Sequence, residues 1–299
     1  MRLILVFFIA FNFLSAKFIV TNDINFTYWQ ISKGKNRSYL IGTMHIGDYR
    51  VKKIVKKLTP LIKKSDALYT EIKLNILTKM LAFQATVLDG NKTLKNILNP
   101  KLYKELDNYL KSISPLLGAK NFNKLKIWAI AISLPYINMQ RGYKSIDEEL
   151  YNKALFLKKE VGGIESLEEQ ISIFDNLSLK EQEKLLKDTL IWLKKYSNDT
   201  HKLIEYYFKG DYEKILKLNN KLFKEFKNKK LEDKILYQRN EKMAKRIDKL
   251  IRNNPNKEYI FAFGLLHFLG KKSIIELLEA KGYNVKKQNI FIKKGDFYK

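Results

Sequence analysis

Apolar and polar positions follow two rhythms along this chain, one near its ends and another through its middle. After the first twenty or so residues, FTYWQISKGKNRSYLIGTMHIG reads as two strands separated by the turn KGKN, the second an almost unbroken apolar run. Val51, Ile54, Val55, Leu58, Leu61 and Ile62 then recur at helical spacing, and ALYTEIKL follows as a short strand carrying Glu71. Strand, helix, strand in that order is a βαβ unit, which makes parallel pairs and gathers functional groups at the carboxyl ends of its strands. From 75 to about 236 the helical period dominates, and only KKEVGGIES, bounded by glycine, reads as a strand. The first rhythm then returns. A long helix ends at NNPN, the strand EYIFAFG leads into GLLH, the helix KKSIIELLEAKG closes at Gly282, and YNVKKQNIFI is a last strand.

This pattern predicts an α/β fold: a small mixed, largely parallel sheet built from the N- and C-terminal segments, with a large helical middle region packed around it. No linker rich in Gly, Ser or Pro interrupts the chain, so residues 17–299 read as a single domain in which 75–236 is a mainly helical insertion. The 299 residues, 45% of them hydrophobic, suffice for a sizeable core. Residues 1–16 read differently. One positive charge at Arg2, an apolar run from Leu3 to Leu14, and small Ser15 and Ala16 have the layout of a secretory signal peptide. That run is short of the roughly twenty apolar residues of a membrane span. The expectation is an exported protein, periplasmic or extracellular once the leader is removed.

Composition narrows the chemistry. With no cysteine there is no disulfide, thiolate zinc site or cysteine nucleophile. Lys and Arg number 57 against 31 Asp and Glu, a formal net charge of +26. The excess is mostly Lys spread over every helix, as in proteins encoded by A+T-rich genomes. No compact Arg cluster or aromatic-interleaved basic motif is present, so no specific nucleic-acid partner is expected. An electrostatic association with an anionic envelope surface is compatible with the charge. The serines lack a G-x-S-x-G elbow, and GKNRSY is not a phosphate loop.

Two of the three histidines stand in one frame. GTMH occupies residues 42–45 and GLLH residues 264–267, each at the exit of a predicted strand. The glycines, Gly42 and Gly264, permit a tight turn or close backbone approach, the histidines project from the sheet edge, and the helix that follows would offer its N-terminal N–H groups to an anion. If the strands are neighbours, His45, His267 and Glu71 converge. Two imidazoles and a carboxylate are a standard set for a catalytic divalent metal, here Mn, Co or Zn, with Glu71 either ligand or general base. Each histidine alone would more simply be a hydrogen-bonded structural residue. His201, which lacks the frame, reads as a surface residue between helices.

The segments SYLIGTMHIGD, YTE and FAFGLLHFLGKKSIIELLEAKGYNV resemble the TraB/GumN family, the Tiki-like metalloprotease superfamily. The middle is similar too, in SIDEELYNKALFLKKEVGGIESLEEQISIFDNLS, YYFKGDYEKILKL and LYQRNEKMAKRI, in order over nearly the whole chain after the leader. The resemblance implies that His45, Glu71 and His267 belong to a metal or catalytic centre. It places Arg239 close by, to bind a substrate carboxylate or stabilise an oxyanion. Glu165 and Gln170 match family positions as well, Glu165 equally readable as a helix-start cap. Ile164 and Ser166 stand where the family usually has Leu and Thr.

The expected function is a secreted metal-dependent hydrolase, most simply a peptidase using a metal-activated water on a peptide or protein substrate. The alternatives are a non-catalytic protein of the same fold that sequesters a peptide, or a basic envelope-associated binding protein. Loss of the histidines would abolish only the first activity, and steep salt dependence would mark the third.

Overall fold

The computed structural model describes residues 23–137, 142–196, 199–226 and 228–297; the expected leader, residues 1–16, lies outside them. Six strands, β1 (Ile24–Lys33), β2 (Asn36–Thr43), β3 (Ala67–Thr70), β4 (Glu160–Gly163), β5 (Tyr259–Gly264) and β6 (Asn284–Ile292), form one sheet in the order β4-β3-β5-β2-β1-β6. The first four in that order are mutually parallel. β1 runs antiparallel to both β2 and β6. The mixed, largely parallel sheet expected from the apolar pattern is therefore the one observed, with β4 as the contribution of the middle region.

Local chemistry accounts for these elements. Gly34, with φ +59°, begins the two-residue turn between β1 and β2, where a hairpin favours glycine. β2, β3 and β5 are buried along nearly their whole length, as parallel strands covered on both faces must be, and their sequences run apolar instead of alternating. The helix Val51–Lys64 buries Val51, Ile54, Val55, Leu58 and Ile62, five of the six positions its spacing marked out, and leaves Leu61 half-buried. Helices Ile146–Phe156 and Gln238–Asn253 add Leu150, Tyr151, Met243 and Ile247 to the same sheet-centred core.

The middle region does more than wrap the sheet. Leu106, Leu110, Trp128, Ile130, Leu186 and Leu190, from helices Pro100–Ile113, Ile127–Ser133 and Leu179–Lys195, make a second apolar core of their own. Trp128 stacks on Phe174 with ring centroids 5.6 Å apart. A small cluster of Ile72, Ala82 and Leu167 lies where the chain leaves β3. Among the described residues no helix is long and apolar enough to cross a membrane.

Candidate functional site

Parallel strands align their carboxyl ends, and here each of the four delivers one candidate residue just beyond its last pair. Across the sheet these are Glu165 after β4, Glu71 after β3, His267 after β5 and His45 after β2. Register holds them level. Thr43 pairs with Gly264, Thr70 with Ala262 and with Gly163, and the Glu165 N–H donates to the Glu71 carbonyl at 2.8 Å. The two G-x-x-H frames meet because β2 and β5 are direct neighbours.

Glu71 is the hub. His45 Nε2 and His267 Nε2 each lie 3.7 Å from its Oε1. Oε1 also accepts the Gly264 N–H at 2.8 Å, while Oε2 accepts Arg239 Nη2 at 2.6 Å and Gln170 Nε2 at 3.0 Å. Burial alone would favour the neutral carboxyl, but Arg239 first, and then His45, hold Glu71 well below the usual carboxylate range. Arg239 also grips Glu165, Nε to Oε1 at 3.0 Å and Nη2 to Oε2 at 2.6 Å, and Gln170 bonds the same carboxylate at 2.9 Å. Its Nη1 donates to the Ile235 carbonyl. The guanidinium thus faces two buried carboxylates of its own chain. Glu165 belongs to this buried cluster, and the cap of the following helix is instead Ser166, whose side chain accepts the Glu169 N–H. A π-helical turn at Asp233–Tyr237 leads directly into the helix that carries Arg239, a local distortion often found beside functional sites.

Each imidazole is oriented by its other nitrogen. Asn240 donates from Nδ2 to the Lys272 carbonyl at 2.8 Å, which leaves its Oδ1 facing His267 Nδ1 at 2.6 Å. Nδ1 must therefore carry the hydrogen, and Nε2 turns a lone pair toward Glu71. Burial, with Arg239 nearby, pulls His267 down to about 3 and keeps it neutral. His45 Nδ1 meets Asp147 Oδ1 at 3.3 Å. There burial is outweighed by Asp147 and Glu71, which raise His45 to about 10. Asp147 and Asn240 escaped the sequence reading as site residues. Asp147 looks like an acid compensating the dipole at a helix start, and Asn240 like an ordinary polar position in a charged helix.

Gly264 keeps the centre open: a Cβ there would stand 3.1 Å from Glu71 Oε1, 3.6 Å from His267 Cδ2 and 3.8 Å from His45 Nε2. Gly42 serves packing, since a Cβ would meet Leu265 Cδ1 at 2.5 Å. Two features differ from expectation. Regular helix resumes only at Val51 and Ile274, so the anion of the site is held by the Gly264 N–H, Arg239 and Gln170, with no helix start directly after either histidine. His201 is exposed, as expected, but lies inside the helix Asp199–Lys209.

Among the described residues no three His, Asp or Glu side chains are arranged to hold a metal ion as they stand. The donor chemistry nevertheless fits a divalent ion. The neutral His267 turns an imine nitrogen toward the carboxylate oxygen and repels it unless a cation lies between. His45 now fills that need with a proton that a metal ion would replace, and both rings have the anchored Nδ1 typical of metal-bound histidine.

A family model described as the TraB/PrgY/gumN family matches residues 27–287. Metalloprotease TIKI1 of Danio rerio is 26% identical over 313 residues, covering 88% of this chain and 63% of the relative. Metalloprotease TIKI2 of the same fish is 26% identical over 317 residues, with 88% and 61% covered. Metalloprotease TIKI1 of Homo sapiens is 24% identical over 314 residues, with 88% and 62% covered. The chain spans about three fifths of the length of these curated relatives. No solved structure matches it.

Proposed function

The chain belongs to the TraB/PrgY/gumN family, and from that premise we propose that it is a metal-dependent hydrolase acting on peptides or proteins. The observation that carries this reading is the convergence of two imidazole Nε2 atoms on one carboxylate oxygen, each ring fixed through Nδ1. His45, His267 and Glu71 would hold the ion, and Mn, Co or Zn each suit two nitrogens and an oxygen. When bound, such an ion supplies Lewis acidity to a peptide carbonyl and to water.

The protein's own groups do the rest. Arg239 and Gln170 hold Glu71 ionised and fixed, which assigns Glu71 the role of ligand. Arg239 acts by positioning the two carboxylates, because its donors already face Glu71, Glu165 and Ile235. Asp147 and Asn240 fix the ring tautomers. The His45 side chain is 24% exposed against 6% for His267, so substrate enters from the His45 side. The leader composition supports export, with turnover outside the cytoplasm.

The test is metal content and cleavage on one preparation. Protein stripped with a chelator and reloaded with Mn, Co or Zn is offered a peptide library, and products are followed by mass spectrometry. Metal-dependent cleavage is expected, falling by about a thousandfold or more in His45→Ala and His267→Ala, since loss of the ion removes its whole contribution to the barrier. Stoichiometric metal without cleavage would favour peptide sequestration. A folded protein that takes up no metal and cleaves nothing would sink the proposal.

A further inference from the structure

The helix Ile76–Ala85 is turned inside out. At 100° per residue, Ile76, Leu77, Met80, Leu81 and Phe83 share one arc of about 160° with Gln84, and all five large apolar side chains are exposed, by 43% to 78%. Thr78, Lys79, Ala82 and Ala85 occupy the other side, and Ala82 alone is buried. Five of the thirteen exposed large hydrophobic residues among the described residues therefore fall within one helix of ten. A helix with its small residues inward and its large ones outward gains nothing from folding in water alone, and a contiguous apolar face of this kind marks a docking surface.

The helix is firmly held in that orientation. Asn75 caps it, accepting the Thr78 N–H at 2.8 Å, and Lys79 Nζ bonds Glu148 Oε1 at 3.1 Å, next to Asp147. Ala82 packs with Ile72 and Leu167. The apolar face thus starts five residues after Glu71 and is braced on the helices that carry Asp147 and Gln170.

Charge identifies the occupant. Between Glu71 and Glu105 the chain carries Lys73, Lys79, Lys92, Lys95, Lys101 and Lys104 against Asp89, within a protein of net charge +26. Five of those lysines, all but Lys79, are exposed. Outward Ile, Leu, Met and Phe on a strongly cationic protein, with exposed lysines before and after the helix in the chain, suit the headgroup region of an anionic bilayer. We propose that Ile76–Ala85 seats this protein on an anionic lipid bilayer. The site is then held within a few residues of the membrane surface, where it meets chains presented there. The proposal does not depend on catalysis.

The absence of cysteine makes a local test clean. Met80→Cys, and separately Ile191→Cys on the exposed part of the helix Leu179–Lys195, are labelled in the full chain with an environment-sensitive fluorophore. Vesicles of phosphatidylglycerol and phosphatidylcholine, or of phosphatidylcholine alone, are then added. The probe at 80 should move to an apolar environment and be quenched by nitroxide lipids on anionic vesicles, while the probe at 191 stays water-like. Adding Leu77→Gln, Leu81→Gln and Phe83→Gln should weaken partitioning by about tenfold or more, with the circular dichroism spectrum unchanged. A position-80 probe that ignores anionic vesicles, or responds equally to neutral ones, overturns the proposal. A shift that rises with protein concentration without vesicles overturns it in favour of a second copy of the chain, and a shift seen only with peptide overturns it in favour of substrate docking.

Discussion

Gly264 has φ −49°, a value any residue adopts, so its lack of a side chain answers to the space among Glu71, His267 and His45 and to no demand of the backbone. Gly264→Ala should therefore leave the fold intact, within about 1 kcal/mol by thermal denaturation. Peptide cleavage should fall by about a hundredfold, because a methyl group displaces the reacting groups. Asp147→Asn and Asn240→Leu remove the partners that orient the two rings, and each should weaken metal binding by about 10- to 100-fold in a chelator competition. Unchanged affinity in both variants would show that the rings need no such support. At this scale the sequence was legible where a residue type is rare and framed: two of three histidines in G-x-x-H, and a glutamate at a strand exit. Asp147 and Asn240 were not legible as partners, because acids and amides abound in this chain and their value comes from rings 102 and 27 positions away.

The helix Leu167–Asp175 carries Gln170 into the site, and its orientation depends on Glu169. Arg246 bonds Glu169 through Nη1 and Nη2 at 2.8 and 2.7 Å, and reaches the Ile164 carbonyl at 2.9 Å. That contact first, and then the Ser166 N–H, brings Glu169 to about 2 against an ordinary value of 4.5. The folded value lies below the unfolded one, so the stabilisation is complete above about pH 4.5 and fades as pH falls toward 2. The pair is partly exposed, so solvent and salt reduce its worth. The gap in melting temperature between the parent and Glu169→Gln should accordingly narrow through that window, and parallel curves would show that the pair contributes nothing. Most elements could be read from periodicity, β4 included, because its four residues stand between glycine and helix signals. What periodicity could not supply was which face of Ile76–Ala85 meets solvent. An apolar arc predicts burial by default, and only the tertiary structure shows it turned outward.

Two apolar cores divide the molecule, one around the sheet and one among the helices of the middle, with a small cluster of Ile72, Ala82 and Leu167 between them near the site. The three tryptophans sort between them: Trp29 in the first, Trp128 and Trp192 in the second. Urea unfolding of Trp29→Phe should report the helical core, and of the Trp128→Phe, Trp192→Phe double variant the sheet. The midpoints are expected to differ by roughly 0.5 M or more, and coincident curves would show one cooperative unit. The existence of a separate helical core was not legible, since the same heptad-like spacing serves a helix packed on a sheet and one packed on its neighbours.

The strand order sets a timetable as well as a geometry. β2 and β3 do not touch; β5 lies between them and is the last of the four parallel strands to be made. A nascent chain still on the ribosome already contains His45 and Glu71, yet nothing brings them together until residues 259–267 arrive with both the missing strand and His267. Birth order thus keeps the His45–Glu71–His267 cluster unassembled until synthesis is nearly complete.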